Sequence, residues 1–296
     1  MFIFDEHVKQ LEKAGFEIER LDTPTATEEQ LIKGLKDKVG YILGGIEKVT
    51  DKVISSTDQL KVIAFTGSDW KALITGWEKA TEKGIAITNA PGGNSYAVAE
   101  YAVTLALAMQ RNIFELGRTG EKTFETSPSF KDSVIGVIGA GHIGSKIIGE
   151  SQSFFPKKVV YYSRSAKDCD AELVSLDELI AESDIVFVAV PGTAGELINT
   201  KQIKRMKKNG LLVSISPKNL IDLDALLARL KEGTLRAAID WPAPNEEFLS
   251  LPLNTWFNSN NHNAYNSNQA LKLCSDMAVE SILNILKTGK DKYRVN

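Results

Sequence analysis

The chain has 296 residues, 43% apolar and 25% charged, with 35 basic against 38 acidic side chains and a formal charge of −3. At roughly 100–200 residues per domain, that length predicts two domains, and the near balance of charge excludes a general field for nucleic acid or an anionic membrane. Cys169 and Cys274 stand too far apart for a C-x-x-C site or a disulfide framework, and imidazole chemistry is confined to His7, His142 and His262. No apolar run approaches the ~20 residues that span a bilayer, and the start meets acid at Asp5 and Glu6 rather than forming a leader. The expectation is a cytoplasmic protein with reduced thiols.

Strand and helix patterns alternate along the chain. Phe2-Ile3-Phe4 reads as a short strand, followed by a helix carrying Val8, Leu11 and Ala14 that Gly15 stops. Thr25 and Glu28 have capping-box spacing ahead of Leu31 and Leu35. Strands are predicted at Tyr41–Leu43, Lys61–Phe65 and Gly84–Thr88, with helices over Asp51–Leu60 and Trp70–Lys83. Residues 89–97 are a turn-rich break, and an apolar helix runs from about Val98 to Arg111. A second alternating series starts near Ser133 and reaches about residue 262, and a last helix covers about Asn268 to Thr288. Short apolar strands separated by helices predict an α/β protein with buried parallel sheets. Residues 254–268 hold seven asparagines, a local oddity of composition.

The strand Ser133–Ile138 runs into Gly139-Ala-Gly141-His142-Ile143-Gly144, and a helix follows. A G-x-G-x-x-G between strand and helix points to a dinucleotide. Its first glycine makes the tight turn, its second admits the pyrophosphate and its third lets helix and strand pack. The helix N-terminus offers unpaired N–H groups and a positive dipole end. His142 is read as a loop residue near phosphate. The next strand, Lys158–Tyr162, is followed by Ser163, Arg164 and Ser165, with Ser163 19 positions after Gly144, where an acid would bind the ribose of NAD. Serine and guanidinium suit a 2′-phosphate instead, which predicts NADP over NAD.

Taken together, the ordered blocks resemble the D-2-hydroxyacid dehydrogenase family over nearly the whole chain. They are Phe65-Thr-Gly-Ser-Asp69, Gly84–Pro91 with Asn94 and Ala97-Val-Ala-Glu100, the glycine turn, Leu176–Ile185, Val190-Pro191, Asp222–Leu226 and Ala237-Ala-Ile-Asp240. The resemblance implies two Rossmann/flavodoxin-like doubly wound domains with the active cleft between them. Residues 1–93 with 264–296 would form the substrate domain, and 94–263 the inserted dinucleotide domain. It also implies a small-molecule substrate and a homodimer through the dinucleotide domain. Gly92, Gly93 and Asn94 would meet a substrate carboxylate, Pro191 and Ser214 the nicotinamide ribose and amide, and Asp240 the carboxamide.

The family's catalytic arginine, glutamate and histidine fall on Pro217, Asn245 and Asn260. Neighbouring substitutes are Lys218, Glu246 and His262, the last being the one histidine left for a proton donor. Three functions follow as alternatives. One is a reductase of a small 2-keto acid or related carbonyl using His262, Glu246 and Lys218. The second is a dinucleotide-binding sensor or partner subunit that has lost catalysis. The third is altered chemistry on a carbonyl without a carboxylate.

Overall fold

A computed structural model describes residues 3–21, 23, 25–120 and 126–296. The first part of the chain forms α1 (Asp5–Lys13), α2 (Glu28–Gly34), β1 (Gly40–Leu43), α3 (Asp51–Ser55), β2 (Val62–Phe65), α4 (Trp77–Glu82) and β3 (Ala86–Thr88). Next come α5 (Ser95–Gln110), α6 (Ile113–Thr119), β4 (Val134–Ile138), α7 (His142–Gln152), β5 (Lys158–Tyr162), β6 (Glu172–Leu173), α8 (Leu176–Glu182) and β7 (Ile185–Val188). The remainder is α9 (Thr200–Arg205), β8 (Gly210–Ser214), α10 (Leu223–Lys231), β9 (Leu235–Ile239), α11 (Glu246–Leu249), β10 (Trp256–Asn258) and α12 (Asn268–Thr288). Among the described residues no helix is long and apolar enough to cross a membrane.

The chain divides into two compact units, Met1–Asn94 with Ser267–Asn296, and Ser95–Asn266. The first unit holds a parallel three-stranded sheet in the order β1-β2-β3. β2 and β3 are buried on both faces and β1 is partly buried, with alternate residues serving different cores. Ile63, Phe65 and Ile87 pack with Leu31, Val53 and Ile54, while Val62, Ala64 and Ala86 pack with Leu11 of α1 and Val279, Ile282 and Ile285 of α12. His7 ties α1 to α12. Its Nδ1 accepts the Phe4 N–H at 3.1 Å, so Nε2 carries the hydrogen and donates to Asp276 Oδ1 at 2.9 Å. His7 is only 1% exposed and takes the place glutamine or glutamate holds in a capping box.

The second unit holds seven parallel strands in the order β10-β9-β8-β7-β4-β5-β6. Order reverses between β4 and β7, the switch point where open α/β sheets bind ligands at strand carboxyl ends. Again alternate residues divide between two layers: Val186 and Val188 face one core, Ile185 and Phe187 the other. Register aligns Tyr162, Ile138, Val188, Ser214 and Ile239 in one row. The residues that follow the row, Ser163, Gly139, Ala189, Ile215 and Asp240, therefore emerge together at one sheet edge.

Several local expectations are corrected. Ile3 and Phe4 carry no strand, Phe4 being the residue before α1, and Phe2 lies outside the described residues. The second helix is capped by Thr27, whose hydroxyl accepts the Gln30 N–H, and not by Thr25. The helix expected over Trp70–Lys83 breaks into a 3-10 turn at Trp70–Ala72 and α4, because Leu73 and Gly76 bond the backbone of Val49. The Asp51–Leu60 helix stops at Ser55, and α5 starts at Ser95, three residues before Val98.

Candidate dinucleotide-binding and active site

Each glycine of the turn answers a different demand. Gly139 has φ +94°, and a Cβ there would stand 2.5 Å from both Ala189 O and Val190 Cγ1 at the top of β7. A Cβ on Gly144 would lie 1.7 Å from Gly139 O, so α7 rests directly on the turn. Around Gly141 a Cβ would meet nothing within 4 Å. That open approach faces the first amides of α7, which have no partners inside the helix. His142 is the first residue of α7 and exposed, which corrects its reading as a loop residue; Ile143 packs against the α5 side of the sheet.

Beyond β5, Ser163 is half-buried and Arg164 and Ser165 are exposed. The turn that carries them is fastened at both ends. Tyr162 O accepts the Gly139 N–H at 2.8 Å. Tyr161 Oη accepts the Lys167 N–H at 2.8 Å and donates to Lys167 O at 3.3 Å. Gln152, the last residue of α7, donates to Asp170 O at 2.6 Å.

At the ends of β7 and β8 two serines act differently. The Ser214 hydroxyl is fully buried and turned onto the backbone N–H and carbonyl of Ser216, both at 3.3 Å, so it is consumed by its own turn. Ser216, which sequence reasoning missed, accepts the Val190 N–H and donates to Val188 O, both at 2.9 Å. It thereby fixes the exit of β7 and the exposed Pro191 beyond it. Lys218 is exposed in a 3-10 turn that Pro217 opens, and Asn219 Nδ2 donates to Gly192 O at 2.9 Å.

The asparagine-rich segment is a loop folded over Asp240. That carboxylate is buried, and its two oxygens accept the N–H groups of Asn263 at 2.8 Å and Ala264 at 2.9 Å. Asn260 sits at φ +57°, a left-handed conformation that asparagine tolerates better than most residues. His262 is exposed, with its N–H on Asn261 Oδ1 at 2.9 Å. Asn245 caps α11 by accepting from Glu247 and Phe248 N–H, and Glu246 is the exposed first residue of that helix. No hydrogen bond joins Glu246 to His262, so the expected orienting pair is not formed. A group that the motifs did not reveal is Tyr101 of α5. Burial and the nearby Asp240 carboxylate push its phenol up, and the Ser259 hydroxyl partners it. Its signal in the sequence is slight, a second tyrosine in a largely apolar helix that already holds Tyr96.

The sequence profile of the D-isomer specific 2-hydroxyacid dehydrogenase NAD binding domain matches residues 103–261. The chain belongs to this family. Members are oxidoreductases acting on CH–OH groups, and the matched domain takes a nicotinamide dinucleotide. The chain is 31% identical to D-3-phosphoglycerate dehydrogenase of Methanocaldococcus jannaschii over 307 aligned residues, covering 96% of this chain and 56% of that relative. It is 32% identical to glyoxylate reductase of Thermococcus litoralis over 272, covering 82% of this chain and 80% of the other. The crystal structure of the TT0316 protein from Thermus thermophilus superposes with a TM-score of 0.88 at 24% identity, covering 98% of this chain and 96% of that one. This chain thus spans little more than half of the phosphoglycerate dehydrogenase relative.

The residues present fit the family's dinucleotide: the open approach at Gly141, the unpaired amides of α7 and the turn after β5 lie on one sheet edge. All the glycine, serine and arginine candidates from Gly139 to Asp240 fall inside the matched span, and His262 one residue past it. Gly92, Gly93 and Asn94 precede it, in the first unit. There Gly92 has φ +75°, and Asn94 is half-buried. Gly93 is buried, its N–H donating to Ala90 O at 3.4 Å, and a Cβ would stand 2.7 Å from Cys274 Sγ. Its N–H is thus engaged by its own turn rather than offered to a substrate.

Proposed function

We propose that the protein is an NADP-dependent reductase of a small 2-keto acid, with glyoxylate the first candidate because several relatives are named glyoxylate reductases. The observation that carries the cofactor choice is Ser163-Arg164-Ser165 emerging beside Gly139 where NAD sites place an acid. A guanidinium and two hydroxyls form a donor set for a 2′-phosphate, and no carboxylate stands at Ser163 to repel it.

Reduction takes a hydride at the carbonyl carbon, which the bound dinucleotide supplies, and a proton at the oxygen, which falls to this chain. The amides opening α7 would hold the pyrophosphate. Asp240, with lone pairs left after its two loop amides, would accept from the carboxamide and keep the His262 loop at the same edge. His262 is the imidazole available to donate the proton; Lys218, Gly92 and Asn94 are the candidates for the substrate carboxylate. Assembly as a dimer through the second unit and a cytoplasmic location belong to the same proposal.

One observation favours a second reading, a dinucleotide-binding protein without turnover. Asn245 is spent as a helix cap and Asn260 as a left-handed loop residue, so two of the family's catalytic positions here serve local structure. The test is titration with NADPH and NADH, followed by NADPH consumption with glyoxylate, hydroxypyruvate and pyruvate. NADPH should bind more tightly, and Arg164→Ala should weaken it about tenfold or more, the worth of a lost charge-assisted contact. Turnover that falls 10²–10⁴-fold in His262→Ala supports the donor role. Tight NADPH binding with no consumption of any of the three acids selects the second reading.

A further inference from the structure

We infer that Tyr161 is a positioning residue for cofactor selection. It acts through the backbone of Lys167 and touches no dinucleotide itself. The inference rests on the NADP reading above and adds to it how the phosphate-binding turn is held ready.

Tyr161 is the fourth residue of β5, and its ring is buried on the α5 side of the sheet. Packing alone asks only for an aromatic ring there. The hydroxyl does something else: it closes a two-point contact with one residue, accepting from Lys167 N and donating to Lys167 O. The carbonyl of Lys167 also takes the Cys169 thiol, at 3.8 Å. Residues 163–166 therefore span two fixed points, the end of β5 paired with Gly139 and the clamped Lys167. Those four residues include Ser163, Arg164 and Ser165. Farther on, Gln152 of α7 holds Asp170 O, which links this loop to the helix that the glycine turn opens.

A turn fastened in this way has already lost the backbone freedom that a phosphate would otherwise have to remove. The gain goes to a ligand that uses the turn. NADPH carries the 2′-phosphate and NADH does not, so loosening the clamp should weaken the first and spare the second. Tyr161→Phe keeps the ring and removes the hydroxyl. Lys167 is exposed, so water can take up its freed N–H and carbonyl.

The experiment is calorimetric titration of the full chain and of Tyr161→Phe with NADPH and with NADH, alongside thermal unfolding. Gln152→Ala, which removes the second fastening from a half-exposed position, is the companion variant should Tyr161→Phe not fold. The expected result is an NADPH Kd raised about three- to tenfold, the worth of one or two hydrogen bonds, with the NADH Kd within about twofold. Equal weakening of both dinucleotides, or no change in either, would overturn the positioning role while leaving the Arg164 assignment standing. A wild-type chain that prefers NADH would overturn the NADP reading and this inference with it.

Discussion

A methyl group on Gly144 would stand 1.7 Å from the carbonyl oxygen of Gly139, while one on Gly141 would meet nothing. The two alanine variants should therefore separate folding from binding. Gly144→Ala has to push α7 off β4 and should lose about 1–3 kcal/mol of stability in urea unfolding, the usual range for overpacking. Gly141→Ala should unfold like the wild type and still bind NADPH about tenfold more weakly, because its methyl enters the space the pyrophosphate needs. A second residue-scale test concerns His7. His7→Ala removes the Nδ1 cap of α1 and the bond to Asp276, and should cost about 1–2 kcal/mol; His7→Gln should restore part of it, since glutamine can reach back to the Phe4 N–H. The glycines were readable because the motif itself is compact in sequence, although what crowds Gly139 is Ala189 and Val190 beyond a distant strand. The role of His7 was not, since Asp276 is 269 positions away. Tyr161 was hidden for another reason: Lys167 is only six positions away, but the bonds go to its backbone N–H and carbonyl, which no residue type announces.

Among elements, the buried parallel strands were the easiest to read, since both faces are covered and the runs Val62–Phe65, Val134–Ile138 and Ile185–Val188 are continuously apolar. Short helices were harder. The start of α4 is set by Val49, whose N–H donates to Leu73 O and whose carbonyl accepts the Gly76 N–H, a tertiary contact that no periodicity announces. The asparagine-rich loop showed its strangeness in composition but not its cause, which is a buried carboxylate at the end of β9 collecting two loop amides. α10 offers a test at this scale. Its cap, Asp222, accepts from the Thr200 hydroxyl and the Ala225 N–H, and those bonds, the first above all, hold its carboxyl below the usual range. A lowered value means the stabilisation is present above the ordinary carboxylate range and fades as pH falls through the lowered one. Asp222→Ala should thus cost about 1 kcal/mol at pH 7, a typical cap, and the gap to wild type should narrow toward pH 3 in parallel urea titrations.

At the scale of the molecule the two units differ in continuity. Ser95–Asn266 is one uninterrupted stretch with its own two-layered core, whereas the first unit is assembled from both chain ends. Within the first unit α12 covers Val62, Ala64 and Ala86, and beyond it the Val295 N–H donates to Ile87 O at 2.9 Å while Asn296 Oδ1 accepts the Ile87 N–H at 2.7 Å. Residues 95–266 expressed alone should unfold cooperatively and keep NADPH binding within about tenfold, since the glycine turn and Arg164 lie wholly inside that stretch. Residues 1–94 alone should not give a cooperative transition. The order of synthesis turns this into a matter of timing. The strands β1–β3 are made first, yet the helix that closes their apolar face follows only after the whole second unit, Ser95–Asn266, has been made. At roughly 5–20 residues per second, the ribosome takes about ten to thirty seconds over that interval. For all of it the nascent chain presents an unfinished, sticky sheet while the second unit is still being made. The interval defines when a chaperone that shields apolar surface would be of most use to this protein.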